Sequence, residues 1–243
     1  MDLIGVIPAR LASQRLPEKA IAEIGGEPMI LAVWRRARRV LDRVILAVDG
    51  PALAAVGEAA GAEVVITDPA LPSGSDRVAA ALDALRLRPD AVINIQGDQP
   101  FLAEAHLRAL CGPLGGAPVT TLAAPLADPA DPARVKVVCD PRGRALYFSR
   151  AAIPHGGPYR QHVGLYRFSP EALARFVAAP PSPLERIERL EQLRLMEIGV
   201  PIDVIDVDEP AFSVDTAEDL AEARRRAAVS SARRPAPGRP GGP

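Results

Sequence analysis

Between Pro8 and Lys19 the chain reads Pro8-Ala9-Arg10-Leu-Ala-Ser13-Gln-Arg15-Leu-Pro-Glu18-Lys19, which gathers three cations around a hydroxyl and a run of backbone N–H groups. Such a loop suits a polyanion such as a triphosphate. Its spacing is neither a Walker A loop nor GxGxxG, and a solvated basic loop is the plain alternative. Asp98, in Gln96-Gly97-Asp98-Gln99-Pro100, stands just past a short apolar run. Magnesium takes one or two carboxylates together with phosphate oxygens and water, and Asp98 is well placed to be one of them. Gly97 beside it allows a close backbone approach. Asp215, in Ser213-Val-Asp-Thr-Ala-Glu-Asp-Leu220, is a second carboxylate at a strand-to-helix junction. On spacing alone it reads as a helix N-cap. Pro72-Ser73-Gly74-Ser75-Asp76-Arg77 opens a helix with small hydroxyls that can hold a base or a phosphate, and that equally begin any helix. Of 29 basic residues only Lys19 and Lys136 are lysines, positions where a compact ammonium does what a guanidinium cannot.

The elements that must position these groups follow from the apolar pattern. Strands are expected at Leu3–Ile7, Arg43–Val48, Glu63–Thr67 and Ala91–Ile95, with helices at about 28–41, 51–60 and 75–87 between them. The strands are nearly continuous apolar runs, so they are buried on both faces. This alternation defines an α/β fold with a doubly wound, mostly parallel sheet. Its ligands sit outside the carboxyl ends of the strands. After about residue 118 the pattern changes to a smaller antiparallel or mixed section. Strands are expected at Val119–Leu126, Val135–Cys139, Ala145–Ser149 and His162–Phe168, with a turn at Asp140-Pro-Arg-Gly143. Helices at about 170–178 and 184–198, a strand at Ile202–Val207 and a helix from near Thr216 complete one domain over 1–227. Residues 228–243 are Ser, Arg, Pro, Gly and Ala-rich without an acid, and are expected to be a disordered tail.

Composition narrows the function classes. The 243 residues carry a formal net charge of −1, so no overall field draws the chain to nucleic acid or membrane. Aromatics at 4% leave few platforms for stacking bases. Cys111 and Cys139 match neither a redox pair nor a zinc motif. The sequence around Met1-Asp-Leu-Ile lacks a basic leader followed by a long apolar stretch, and no segment is apolar enough to span a bilayer. The expectation is a cytoplasmic protein.

Seven segments in register resemble one family: IPARLASQRLPEK, PSGSDR, NIQGDQP, RVKVVCDPRGRALYFSRAAIP, QHVGLYRF, SPLERIERLEQLRLME and SVDTAEDL. Together they resemble 3-deoxy-manno-octulosonate (Kdo) cytidylyltransferases over about residues 3–225. The resemblance implies transfer of a cytidylyl group from CTP to Kdo, an acidic sugar of bacterial lipopolysaccharide, with release of pyrophosphate. It also implies Mg²⁺ as cofactor and a homodimer. Pro8, Ala9, Arg10, Ser13, Arg15, Lys19, Ser73, Gly74, Ser75 and Arg77 would hold the nucleotide, and Lys19, Arg15 and Asp98 would serve catalysis. Asp98 and Asp215 would hold the metal, which displaces the cap-only reading of Asp215. Gln96, Arg150, His162, Tyr166, Glu191 and Gln192 would meet the sugar, with Arg150 and His162 supplying positive charge to its carboxylate. Residues of about 1–117 would then bind CTP, about 118–212 would bind the sugar and a second copy, and 213–227 would return the last helix to the core.

The residues themselves bear on these roles. His162 and Tyr166 lie four apart on an expected strand and so face one side. Glu191 and Gln192 fall on an expected amphipathic helix, where polar residues are ordinarily the solvated face. Two positions depart from the family: Glu18 stands where Gly is usual, and Gln99 where Glu is usual. The segment Pro154–Gln161 is also shorter than usual, which leaves an 8-amino analogue of Kdo or a nonulosonate open as the acceptor. A silent nucleotide-binding regulator on the same fold is the alternative from another class.

Overall fold

The computed structural model describes residues 1–11, 16–112 and 116–232. In chain order the elements are β1 (Leu3–Ala9), β2 (Glu23–Ile24), β3 (Glu27–Pro28), α1 (Met29–Ala37), β4 (Val44–Val48), α2 (Pro51–Ala59) and β5 (Glu63–Ile66). Next come α3 (Gly74–Ala84), β6 (Ala91–Asn94), α4 (Glu104–Cys111), β7 (Val119–Leu126), β8 (Lys136–Cys139), β9 (Ala145–Ser149) and β10 (Tyr159–Phe168). The chain closes with α5 (Pro170–Ala178), α6 (Pro183–Glu188), α7 (Gln192–Glu197), β11 (Ile202–Asp206) and α8 (Ala217–Ala232).

One mixed sheet runs in the order β11-β7-β10-β6-β1-β4-β5, and the β8–β9 hairpin hangs from β10 through Gln161 and Lys136. β5, β4, β1 and β6 are parallel neighbours. β10 lies antiparallel between β6 and β7, so the mixed section continues the parallel sheet. Strand residues alternate between two cores. Ile4, Val6, Ile45 and Ala47 pack with Val78, Leu82 and Phe176 on one face, while Ile7, Leu46, Val48 and Ile93 pack with Ile30, Val33 and Leu107 on the other. Both faces are covered by helices, as continuous apolar strands require.

Chain order explains where the site lies. From β1 the chain winds outward through β4 and β5, then returns to place β6 on the other side of β1. The two halves therefore diverge between the carboxyl ends of β1 and β6, the crevice where open α/β sheets bind ligands.

Two expectations need correction. The helix expected over 184–198 is two short helices, α6 and α7, because Arg189 takes a left-handed φ of 56° and ends the first. α8 continues to Ala232, five residues into the expected tail, through Ala-rich sequence whose Glu222 pairs with Arg225 and Arg226. The β2–β3 hairpin and α4 were not expected. The first turns at Gly25-Gly26, both at positive φ, and such a pair is itself a hairpin signal.

Candidate functional site

At the crevice a cavity of about 320 Å³ is lined by Pro8 and Ala9 at the end of β1 and Arg10 just past it, by Gln96, Gly97 and Asp98 after β6, and by Gly74 and Arg77 of α3. Lys19 and Asp215 close it. Most residues expected to hold the nucleotide and metal thus meet in one place. Ser13 and Arg15 lie outside the described residues. Sequence reasoning missed Asp49, whose two carboxylate oxygens accept the Leu11 N–H at 3.1 and 3.0 Å and anchor the start of the loop after β1. Its place just past β4, matching that of Asp98 past β6, was the available signal. A Cβ on Gly97 would make only ordinary contacts at 3.4 Å, so no close approach within the chain requires glycine there.

Lys19 Nζ donates to Asp98 Oδ2 at 2.9 Å and to Asp215 Oδ1 at 3.0 Å. Burial pulls the Lys19 pKa down, but the two carboxylates outweigh it and the net shift is upward, so the ammonium stays charged. Asp215 reaches this point because it is not the cap. Thr216 Oγ1 accepts the Asp219 N–H at 3.2 Å, and Asp219 accepts the N–H groups of both Asp215 and Thr216 at 3.0 Å. The Val214 N–H donates to the Asp98 carbonyl at 2.9 Å, which draws the segment before α8 against the end of β6. Among the described residues no three His, Cys, Asp or Glu side chains form a metal cage. Two carboxylates that reach one cation do match the donor set magnesium uses when phosphates and water complete its shell.

Arg77 is fully buried, hydrogen-bonded to Thr67 Oγ1, with Nη2 unpartnered among the described residues. Burial, then the charge of Arg10, lower its pKa. Two guanidiniums that repel each other in a partly dry pocket call for an anion between them. Arg10 is held by the Pro72 carbonyl at 3.3 Å.

A second cluster adjoins this cavity across α3. Ser75 Oγ donates to Glu191 Oε1 at 2.8 Å, and Asn94 Nδ2 donates to Ser75 Oγ at 3.2 Å. Ser73 caps α3, its Oγ accepting the Asp76 N–H. The break at Arg189 is what turns Glu191 and Gln192 inward, so they are not a solvated face. Burial raises the Glu191 pKa against the opposing hydrogen bonds of the serines. Burial, then the Glu191 charge, raise that of Tyr166. The His162 and Tyr166 rings lie 5.3 Å apart, on one side as expected. Gln192 Nε2 and Asn94 Oδ1 are buried without partners among the described residues. Gln96 joins the two clusters: its Cγ would lie 3.5 Å from a Cβ on Gly164 of β10.

The expected cation at His162 is corrected by its surroundings, which push its pKa from 6.5 to about 3 through burial, so the ring is neutral. Arg150 clamps the chain, with Nε on the Glu188 carbonyl, Nη1 on that of Pro132 and Nη2 on that of Arg189. Lys136, the other lysine, is fully buried and pins the carbonyls of Asp131 and Arg150 at 3.1 and 2.6 Å. Glu18 has φ 55°, which explains why glycine suits this position. Gln99 is buried, with Oε1 unpartnered among the described residues.

A parallel-sheet crevice with cations and paired carboxylates on one side and buried polar side chains on the other is an arrangement suited to a nucleotidyltransferase. Comparison with known proteins narrows the class. The Cytidylyltransferase family profile matches residues 4–204. A 3-deoxy-manno-octulosonate cytidylyltransferase of Methylobacterium sp. (strain 4-46) is 48% identical, covering 96% of this chain and 98% of its own. One from Rhodospirillum centenum is 48% identical, with 95% of each chain covered. The structure of CMP:2-keto-3-deoxy-manno-octonic acid synthetase complexed with CTP superposes with a TM-score of 0.87 at 34% identity, over 95% of this chain and 100% of that one. HddC from Yersinia pseudotuberculosis, 13% identical with a TM-score of 0.68 over 93% of this chain and 99% of its own, shares the fold alone. The chain belongs to the 3-deoxy-manno-octulosonate cytidylyltransferase family.

Proposed function

We infer that the protein transfers the cytidylyl group of CTP to Kdo, giving CMP-Kdo and pyrophosphate. The observation that carries this reading is the junction of the two clusters, where Lys19, Asp98, Asp215, Arg10 and Arg77 face the nucleotide side and Gln96 leads to Tyr166, Glu191 and Gln192. The anomeric hydroxyl oxygen of the sugar bonds to the α-phosphorus of CTP and gives up its proton to solvent, while the bond from that phosphorus to the bridging oxygen breaks and pyrophosphate leaves carrying that oxygen. Arg10, Arg77 and Lys19 neutralise the charge that builds on the leaving pyrophosphate. Tyr166, Glu191 and Gln192 orient the sugar, a positioning that lowers the entropic barrier to displacement. Magnesium would be held by Asp98 and Asp215, and when bound it supplies a Lewis acid to the phosphate oxygens.

This reading gives the protein a cytoplasmic home, where CTP is available. Among the described residues no helix is long and apolar enough to cross a membrane. A homodimer fits the exposed Leu146 on β9 and Ile187 on α6, large apolar side chains that a partner would cover. The acceptor is tested by offering Kdo, 8-amino-Kdo and a nonulosonate with CTP and following the products by ³¹P NMR. A new phosphodiester resonance with Kdo supports the assignment. Turnover of another sugar but not Kdo moves the substrate, and turnover of none refutes the enzyme reading.

A further inference from the structure

Thr121 lies on β7 and is fully buried. Opposite it β10 bulges: Val163 pairs with Leu122 and Tyr166 with Thr121, so Gly164 and Leu165 are extra residues on the longer strand. Bulges re-aim side chains beside functional sites. This one brings two carbonyl oxygens to one hydroxyl, with Thr121 Oγ1 2.7 Å from the Leu165 oxygen and 3.2 Å from the Val163 oxygen. The same Oγ1 stands 3.0 Å from His162 Nε2.

The proton count at this oxygen has one solution. A hydroxyl has one proton to donate, and a carbonyl oxygen can only accept. The Thr121 proton therefore goes to a carbonyl, and Oγ1 is left to accept from His162. Were the proton turned to Nε2 instead, Oγ1 would face the Leu165 oxygen at 2.7 Å with lone pairs on both sides. Nε2 must carry hydrogen, and in a neutral ring Nδ1 then carries a lone pair. The ring is fixed by Phe148, edge-on at 5.1 Å, and by Tyr166 at 5.3 Å. Among the described residues Nε2 makes the ring's hydrogen bond and Nδ1 makes none.

We propose that Thr121 is a positioning residue, which holds His162 as the Nε2–H tautomer so that Nδ1 offers a hydrogen-bond acceptor to a hydroxyl of the sugar acid. The inference rests on the sugar-site reading above and adds a selection rule to it. The substrate group facing His162 is an O–H or N–H donor. A carboxylate placed there would meet a lone pair.

The chain has three histidines, so ¹⁵N-histidine labelling gives a readable long-range ¹H–¹⁵N spectrum, and His162→Gln assigns the resonances. The unaltered protein should show the Nε2–H pattern for His162 at neutral pH. Thr121→Val, which keeps the shape and removes the hydroxyl, should admit the Nδ1–H tautomer, and Thr121→Ser should restore Nε2–H. The KM for Kdo should rise roughly three- to tenfold in Thr121→Val, the cost of one weakened hydrogen bond, while kcat and the KM for CTP stay within about twofold. An Nδ1–H or imidazolium pattern in the unaltered protein overturns the proposal whether or not any variant folds. So does a Thr121→Val protein that keeps pure Nε2–H, or one whose Kdo KM is unchanged while His162→Gln raises it. If His162→Gln itself leaves the Kdo KM unchanged, the sugar-site reading of His162 falls, and the acceptor role falls with it.

Discussion

Lys19 and Asp215 are separated by almost the whole domain in sequence, yet their side chains meet at 3.0 Å, and the same ammonium holds Asp98 at 2.9 Å. One cation thus ties the loop after β1, the end of β6 and the start of α8 into a single site. Both carboxylates depend on positive charge here, supplied by the lysine and, in the proposed reading, by magnesium with the nucleotide.

Lys19→Met should lower kcat/KM for CTP by at least about 10²-fold, the scale on which a preorganised electrostatic group acts. Lys19→Arg should recover little, because a planar fork does not replace a point charge between two carboxylates. Steady-state kinetics against CTP check both. Full activity in Lys19→Arg would contradict the account.

Arg77 separates stability from binding. A fully buried guanidinium with an unpartnered Nη2 weakens the empty fold, so Arg77→Met should keep or raise the melting temperature, by the equivalent of about 1 kcal/mol. The same change should raise the KM for CTP about tenfold or more, the loss of a charged hydrogen bond. Thermal melts with and without CTP read both effects, and the gain from CTP should shrink in the variant.

The neutral His162 sets an acid limit. Its pKa is about 3 in the fold and 6.5 when unfolded, so between these values the unfolded chain binds more protons. Stability should therefore be full above the unfolded value and fall as pH drops toward the folded one, with a slope of at most about 1.4 kcal/mol per pH unit from this residue. Burial shifts His106 in the same direction. Denaturant melts of His162→Gln should show a shallower decline over this window than the unaltered protein.

Glu18 occupies a left-handed conformation beside the cation loop. Glu18→Gly should relieve that strain and leave stability unchanged or raised by up to about 1 kcal/mol, the larger freedom of unfolded glycine offsetting part of the gain. Removal of a negative charge near the triphosphate should also lower the KM for CTP modestly. A clear fall in melting temperature would show that the Glu18 side chain has a stabilising contact.

Much of the site was legible because doubly wound sheets place ligands at strand ends: Arg10 follows β1 directly, Asp98 lies in the loop after β6, and Lys19 closes the loop after β1. Asp215 was not legible from spacing, since an acid before a helix looks like a cap until Thr216 and Asp219 are seen to do the capping. Glu191 and Gln192 were hidden by the break at Arg189, where no glycine or proline announces a left-handed residue. Thr121 required the register of β7 against a bulged β10, a long-range fact that no local pattern encodes. The length of α8 was misjudged because Ser and Arg after Ala228 resemble a linker by composition, although Ala-rich sequence with an i,i+3 and an i,i+4 ion pair sustains a helix.

The most direct test of the central claim is pyrophosphate release by the purified protein with CTP, Mg²⁺ and Kdo, measured beside Asp98→Ala. The account predicts release that needs both substrates and falls by at least about 10²-fold in the variant. Release that persists undiminished in Asp98→Ala, or none with any acidic 2-keto sugar despite tight CTP binding, would contradict it.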